Sequence, residues 1–239
     1  MDPGVAVIAL MAVAVSFTVS ASAGLGGSLV LVPALALALG TKEGVALAAL
    51  LLAANNVVKV FAYRETMPYR RSLVVIVLTV LGAGLGARLL VAAPEGLVTV
   101  AVIAGFVGAL LAERLDLRRL RQAGGSLLAL GSGATSGFSG TSGPLKGMAI
   151  RQLDLDRAHF VGAASLASLA GDVTKTAVFT EADLLSADSF AIALAALPLM
   201  VIATLTGRRI NRAIGEQGYT WLFWGVMAGY TVRLLLRLA

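Results

Sequence analysis

Two stretches rich in glycine and hydroxyl groups interrupt apolar segments of the sequence. The first is SASAGLGGSLVLVP at residues 20–33, and the second is SGFSGTSGP at residues 136–144. Glycine weakens a helix and lets the backbone approach a ligand closely. The first N–H groups of a helix that restarts after a break lack intrahelical acceptors and lie at the positive end of its dipole. These stretches therefore predict oxyanion binding by backbone N–H groups and hydroxyls.

The two breaks are expected to face each other around one central polar site, with Gly26 and Gly27 close to Thr141–Gly143. Close helix packing is the alternative explanation for such glycines, and we favour it for GAGLGAR at 82–88. At the breaks, we favour anion binding over close packing, because the chain contains two similar glycine-rich stretches and each is followed by a proline. The candidate substrate-binding residues there are Ser22, Gly24, Gly26, Gly27, Ser28, Ser139, Gly140, Thr141, Ser142 and Gly143.

Two lysines lie inside apolar segments, where a charge is costly unless it has a function or a partner. Lys59 follows Asn56 by three residues and Lys175 follows Asp172 by three, so each pair shares one helix face. Each lysine could attract an anion, or it could snorkel or form an ion pair. Asp172 could be a structural partner of Lys175, which we favour, or a proton-coupling carboxylate. These four residues and Asn55 complete the candidate substrate-binding set.

The composition is that of an integral membrane protein. Of the 239 residues, 58% are hydrophobic and 13% are charged, whereas about a quarter of the residues in soluble domains are charged. Leu, Ala, Val and Gly dominate the apolar runs, which favours helices over a β-barrel. We predict an all-α polytopic membrane protein. The apolar runs lie at about 4–22, 28–40, 44–63, 72–92, 96–112, 125–136, 143–150, 158–178, 186–206 and 217–236.

The sequence lacks the motifs that several kinds of chemistry require. The chain has no cysteine and one histidine, His159, which we interpret as a polar residue at a loop end. No cluster has the spacing of metal ligands, and no ATP-binding motif is present. Ser136, Ser139 and Ser142 lack a nucleophile elbow. We therefore expect no enzyme activity, no cofactor and no metal, and no role in nucleic-acid binding, because the arginines lie in short loops.

When the sequence is aligned with itself at an offset of 116 residues, the two breaks coincide, and so do two pairs of polar residues. GLGGSLV at 24–30 then lies over GTSGPLK at 140–146, Asn56 over Asp172, and Lys59 over Lys175. The run 125–136, followed by GFSGTSGPLKG, predicts a hairpin that enters the membrane and returns. We divide the chain into a first transmembrane repeat at 1–115, a basic cytoplasmic linker at 116–123 and a second repeat at 124–239.

Loop charges indicate that the two repeats have opposite orientations. RETMPYRR at 64–71 and ERLDLRRLRQ at 113–122 are basic, whereas TEADLLSAD at 180–188 is acidic. With the basic loops in the cytoplasm, the segment ending at residue 63 runs inward and its counterpart ending at 178 runs outward. Inverted repeats with broken helices are a recurring architecture of secondary transporters, whose substrate site lies near the midplane. We expect alternating access, passive or driven by H+ or Na+.

The glycine motifs resemble those of the TauE/SafE sulfite exporter family over nearly the whole chain. The matching features are GLGG followed by apolar residues and a proline, SGFSGTSGP, and a G-x-R triplet in each half, at 86–88 and 207–209. The short helix after the second break, interrupted by Lys146, departs from the family pattern. The resemblance implies a multi-pass transporter in the bacterial plasma membrane, an exporter of small sulfur-containing anions such as sulfite or organosulfonates.

Alternatives to this interpretation are an anion channel of the same fold and a membrane-assembly protein without transport activity. A homodimer is a further state that the sequence leaves open. The first apolar run ends in Ala21-Ser22-Ala23, similar to a signal-peptidase site, but Asp2 and the absence of early basic residues argue against cleavage. We expect that this run is retained as a membrane segment.

Overall fold

The computed structural model describes residues 3–23, 27–112 and 124–206, and within these ranges all regular structure is helical. The predicted linker at 116–123 and the end of the second repeat lie outside the described residues. A 3-10 helix, Arg64–Thr66, follows the third α-helix. The described α-helices are α1 (Pro3–Ala23), α2 (Gly27–Leu39), α3 (Thr41–Ala62), α4 (Tyr69–Ala92), α5 (Glu95–Ala112), α6 (Gly125–Ser139), α7 (Gly143–Arg151), α8 (Arg157–Glu181) and α9 (Ala187–Thr206).

The described helices differ in whether they are long enough to cross a membrane. Among the described residues, α3, α4 and α9 are long and apolar enough to span a bilayer. The short helices α2 and α7 contain 13 and 9 residues. At 1.5 Å per residue they measure about 20 Å and 14 Å, less than the roughly 30 Å of the hydrocarbon core. The predicted all-α membrane architecture is confirmed for these ranges, and neither α2 nor α7 can cross alone.

The helices recur in the same order at the predicted shift of 116 residues. The short helices α2 and α7 begin at Gly27 and Gly143, and the long helices that follow them begin at Thr41 and Arg157. In both halves a longer helix, α1 with 21 residues and α6 with 15, precedes the short one. The sequence repeat is thus matched by a repeat in the order and start points of the helices.

The equivalent helices α3 and α8 run in opposite directions. A Cβ on Gly162, near the start of α8, would lie 2.3 Å from the carbonyl oxygen of Thr66, just after the end of α3. Further along both helices, Asn56 contacts Asp172. From the first contact to the second, the position moves back by ten residues in the segment of α3, from Thr66 to Asn56, and forward by ten residues along α8, from Gly162 to Asp172. Antiparallel equivalent helices are what an inverted repeat requires.

Helices α4 and α6 cross with their backbones in direct contact. A Cβ on Gly82 would lie 2.2 Å from the carbonyl oxygen of Leu130, and one on Gly86 would lie 2.2 Å from that of Ala134. Any larger residue would force the two helices apart. The packing role predicted for the stretch at 82–88 is therefore confirmed at its first and third glycines. The glycines of this crossing are Gly82, Gly86, Gly133 and Gly137.

The opposite face of α4 carries a stripe of exposed leucines. Each is more than half exposed, and their spacing of four or eight residues keeps them on one side of the helix. Such a stripe matches the hydrocarbon of a bilayer, while the glycine face packs against protein. The stripe consists of Leu73, Leu81, Leu85 and Leu89.

Candidate functional site

A buried group of charged side chains lies between α3, α6, α7 and α8, and Lys175 of α8 is its most enclosed member. Lys175 is 0% exposed, and Asp172, one turn earlier, is 5% exposed. The Lys175 Nζ lies 2.6 Å from the Asp172 Oδ1. The same ammonium group donates a hydrogen bond to the Ser136 Oγ of α6 at 2.9 Å. The ion pair favoured by the i,i+3 spacing is therefore present, and it connects α8 to α6.

Asn56 of α3 binds the second oxygen of the same carboxylate. Its Nδ2 donates to the Asp172 Oδ2 at 2.7 Å across a buried contact. These two residues are 116 apart, and they are the polar positions that the sequence shift superimposes. This hydrogen bond therefore joins α3 directly to α8.

Lys146 brings a third ammonium group to this region, and it is a residue that sequence reasoning did not assign to the site. It is 6% exposed, and its Nζ donates to the Ser168 Oγ of α8 at 2.9 Å. One feature of the sequence could have indicated that Lys146 belongs to the site: it lies one turn into the helix that restarts after the second break. Lys59, 7% exposed, lies on α3 one turn after Asn56.

We call this group the lysine cluster (Lys59, Lys146, Lys175 and Asp172). Among the described residues, these three lysines and one aspartate are the buried ionisable side chains. Burying a charged side chain costs several kcal/mol or more unless it is paired or hydrogen-bonded. The burial of Lys59 and Lys175 argues against snorkelling.

Asn55 points away from the lysine cluster, toward α9. Its Oδ1 accepts a hydrogen bond from the Thr204 Oγ1 at 3.1 Å. Its Nδ2 is buried without a partner among the described residues. Leaving such a donor unpaired costs about 1–3 kcal/mol. A water or a ligand oxygen at this position would satisfy the amide.

The second break lies between α6 and α7, as predicted, although α6 continues three residues beyond the expected end at 136. Gly140 has a φ of +74°, a conformation that side chains with a Cβ rarely adopt. A Cβ there would also lie 2.8 Å from the Val32 Cγ2 of α2. Ser139 and Thr141 have their hydroxyls 3.3 Å apart. Ser139, Gly140 and Thr141 are buried, and Ser142 is partly buried.

The hairpin of α6 and α7 places a contact to α8 on each side of this break. Ser136 lies one turn before the end of α6 and accepts from Lys175. Lys146 lies one turn after the start of α7 and donates to Ser168. The break and the lysine cluster are therefore parts of one arrangement, in which α8 lies against both arms of the hairpin.

The first break is described only on its α2 side. Gly27 is buried, Ser28 is partly buried, and the Gly27 carbonyl accepts a hydrogen bond from the Ser16 hydroxyl of α1. Gly24 and Gly26 lie outside the described residues, as does the side chain of Ser22. The expected approach of Gly26 and Gly27 to Thr141–Gly143 stays a prediction.

His159 belongs to a surface pocket at the end of the bundle where α4 and α8 begin. The His159 Nδ1 lies 2.6 Å from the Asp156 Oδ2, and the other oxygen of Asp156 caps the His159 N–H at 3.0 Å. This local pairing fits a polar residue at a loop end. Arg70 and Arg71 line the same pocket and supply positive charge at this end of the molecule.

The comparison with known families identifies the chain. The family model described as sulfite exporter TauE/SafE matches residues 8–234, nearly the whole length. No curated protein and no solved structure matches the chain. The match includes both breaks and the helices α3, α7 and α8, and thus every member of the lysine cluster. Because the model matches most of its length, the chain belongs to the sulfite exporter TauE/SafE family.

Proposed function

We propose that this protein is a secondary transporter, working as an exporter, of small sulfur-containing anions such as sulfite or organosulfonates. Family membership makes it a membrane transporter of sulfite or related sulfur anions. The observation that carries the residue-level proposal is the lysine cluster, which places three buried ammonium groups close to the second helix break. The bacterial plasma membrane is the proposed location.

The lysine cluster offers what an oxyanion loses when it leaves water. An anion that enters a bilayer needs donors to replace its hydration shell. The ammonium groups of Lys59, Lys146 and Lys175 can each form a charge-assisted hydrogen bond, which is stronger than a bond between neutral groups. Asn56 and Ser136 hold the carboxylate and one ammonium in place.

The helix breaks add neutral donors to the proposed site. The first turn of α7 has N–H groups without intrahelical acceptors, directly before Lys146. We assign the two breaks to anion binding, with their hydroxyls and N–H groups approaching the anion during part of the transport cycle. The residues assigned to this role are Ser22, Gly24, Gly26, Gly27, Ser28, Ser139, Gly140, Thr141, Ser142 and Gly143.

Alternating access would arise from rocking of the two inverted repeats against each other. Asn56 belongs to the first repeat and Asp172 to the second, so their hydrogen bond joins the two halves. A rocking motion changes the geometry of this contact while leaving contacts within each half intact. An H+ or Na+ gradient is the proposed driving force.

Flux measurements in proteoliposomes test this function. We expect saturable uptake of radiolabelled sulfite that shows counterflow. Replacing Lys175 by Met should lower the initial rate about tenfold to a hundredfold, as expected for the loss of one hydrogen bond to a charged group. Lys42→Met is the matched control, because Lys42 is bound to the Val91 carbonyl at the other end of α3.

The outcomes separate the alternatives. Sulfite flux in Lys175→Met equal to that of the wild type would exclude the lysine cluster from transport, provided both proteins elute alike in size-exclusion chromatography. Flux that rises linearly with concentration and shows no counterflow would identify a channel instead of a carrier.

A further inference from the structure

We propose that the surface pocket at the end of the bundle where α4 and α8 begin binds the phosphate of a membrane phospholipid, with an acyl chain lying along α4. None of the residues that line this pocket belongs to the lysine cluster. Its ligand would be a component of the bilayer and not the transported anion. A lipid site of this kind goes beyond the proposed function.

Two arginines in the first turn of α4 supply the donors. Arg70 and Arg71 are exposed, and both line the pocket. Among the described residues, neither guanidinium group takes part in a hydrogen bond or an ion pair. A guanidinium group is a planar fork of N–H donors that matches two oxygens of a phosphate. The two arginines can therefore bind a phosphodiester group.

Two carboxylates line the same pocket, and neither occupies these arginines. The Asp156 Oδ2 lies 2.6 Å from the His159 Nδ1, and the Asp156 Oδ1 accepts from the His159 N–H at 3.0 Å. Asp154 is exposed, so water and salt screen its charge. Arg70 and Arg71 thus remain available to a ligand.

The pocket lies at the level where α4 enters the bilayer. This helix is long and apolar enough to span a membrane, and its first residue, Tyr69, lines the pocket. Tyrosine is typical of the headgroup region, and basic pockets between transmembrane helices bind lipid headgroups. The volume of about 640 Å³ is within the range of small-ligand sites, roughly 300–1,000 Å³. A phosphate bound at this level would belong to a lipid headgroup.

An apolar ridge on α4 continues from the pocket toward the middle of the membrane. It begins at Tyr69 and follows the i,i+4 row through Leu73, Val77 and Leu81. These three side chains are between 47% and 59% exposed. At 1.5 Å per residue the ridge measures about 18 Å, close to half of the roughly 30 Å hydrocarbon core. The pocket and the ridge together match an amphiphile with a phosphate head and an apolar chain.

Three probes separate a phospholipid from its parts. Dioleoylphosphatidylglycerol has a phosphate and two acyl chains, dioleoylglycerol has the chains alone, and glycerol phosphate has the phosphate alone. Native mass spectrometry of the full chain released from detergent counts the bound molecules and gives apparent dissociation constants. We expect one tightly bound phospholipid, with a dissociation constant at least about tenfold lower than that of either partial probe.

Removal of both guanidinium groups tests the phosphate contact. In the double variant Arg70→Gln/Arg71→Gln, the dissociation constant of the phospholipid should rise at least about tenfold, to a value near that of dioleoylglycerol. The matched control is Arg64→Gln/Arg151→Gln, which removes the same charge from two exposed arginines outside the pocket. This control should bind the phospholipid as the wild type does.

A polar residue at the start of the ridge tests the chain contact. Leu73→Gln should raise the dissociation constant of the phospholipid about threefold or more, because apolar contact area with the acyl chain is lost. Leu194→Gln is the control, since Leu194 is 69% exposed on α9 and does not belong to the ridge. It should leave the affinity unchanged.

Several results would overturn the proposal. Equal affinity for the phospholipid and dioleoylglycerol would exclude recognition of the phosphate, and equal affinity for glycerol phosphate would identify a soluble phosphate as the ligand. An equal loss of affinity in the Arg64 and Arg151 control would reduce the effect to general electrostatic attraction. An unchanged affinity in Leu73→Gln would remove the ridge from the site. None of these results would bear on anion binding by the lysine cluster.

Discussion

At the scale of single residues, Asp172 organises the donors around it. One of its oxygens contacts Lys175 and the other accepts from Asn56. It is the one buried carboxylate among the residues that the structure describes. Because both oxygens are occupied, the carboxylate fixes one side chain of α3 and one of α8.

Replacing Asp172 by Asn should destabilise the protein and increase its response to anions. The variant leaves Lys175 buried without its partner, and breaking a buried ion pair on one side costs about 3–5 kcal/mol. We expect a lower melting temperature by tryptophan fluorescence in detergent, and a larger stabilisation by sulfate than in the wild type.

Asp154→Asn is the control, since Asp154 is exposed and has a φ of 49°, which asparagine tolerates well. A melting temperature and a sulfate response of Asp172→Asn equal to those of the wild type would contradict the role assigned to the carboxylate.

Three of the four residues of the lysine cluster could be predicted from the sequence as site residues, but Lys146 could not. Lys59, Asp172 and Lys175 stand out because a charge in a long apolar segment needs a partner. Lys146 lies in a short helix, where proximity to the end explains a lysine equally well. Its partner Ser168 is 22 residues away, and a serine in a helix usually bonds to its own backbone.

At the scale of elements, the close crossing of α4 and α6 orients the hairpin. A Cβ on Gly137 would lie 2.4 Å from the Ala83 carbonyl oxygen, so this face of α6 lies directly on α4. The neighbouring residue Ser136 points about 100° away around the helix, where it accepts from Lys175. The glycine contact therefore sets the direction in which α6 presents its hydroxyl to the lysine cluster.

A methyl group at this crossing should be more harmful than one elsewhere on α4. In Gly86→Ala the Cβ would meet the Ala134 carbonyl oxygen at 2.2 Å, whereas in Gly84→Ala the nearest atom is the Thr174 Cγ2 at 3.5 Å. We expect Gly86→Ala to lower the melting temperature and to reduce the fraction recovered as a single peak in size-exclusion chromatography after mild heating.

Gly84→Ala should be neutral or slightly stabilising, by up to about 1 kcal/mol, because alanine favours a helix more than glycine does. Equal stability of the two variants would show that the α4–α6 contact is looser than described.

The boundaries of the elements were predictable where breakers mark them. The apolar runs at 28–40 and 44–63 correspond to α2 and α3, since Gly40 separates them. The end of α6 was predicted too early, because glycine and serine have low intrinsic helix propensity. Packing against α4 supplies the stabilisation that the local sequence lacks, and the helix continues to Ser139.

At the scale of the whole molecule, the helices of the second half repeat the order of the first, and α3 and α8 run antiparallel. The opposite orientations of the two halves were predicted from the charges of the loops. These charges indicate on which side of the membrane a loop lies, whether or not the halves are similar in sequence. The contact between Asn56 and Asp172 could not be derived that way. A sequence shift shows which positions are equivalent and says nothing about their distance from the axis.

If the two halves are inverted, as we propose, equivalent loop ends lie on opposite sides of the membrane. The chain has no cysteine, so a single cysteine can report the location of each end. In intact cells, a membrane-impermeant maleimide should label Glu181→Cys, and it should label Glu65→Cys only after permeabilisation. Both positions are exposed. Labelling of both from the same side would contradict the inverted arrangement.

The most direct test of the central claim is the location of a bound anion in crystals grown with selenate, a doubly charged analogue of sulfate whose selenium scatters anomalously. We expect an anomalous peak within hydrogen-bond distance of the Lys146 and Lys175 ammonium groups. The peak should be absent from crystals of Lys175→Met grown in the same way. A selenate ordered only at surface arginines, with none in the lysine cluster, would contradict the claim that this cluster binds the transported anion.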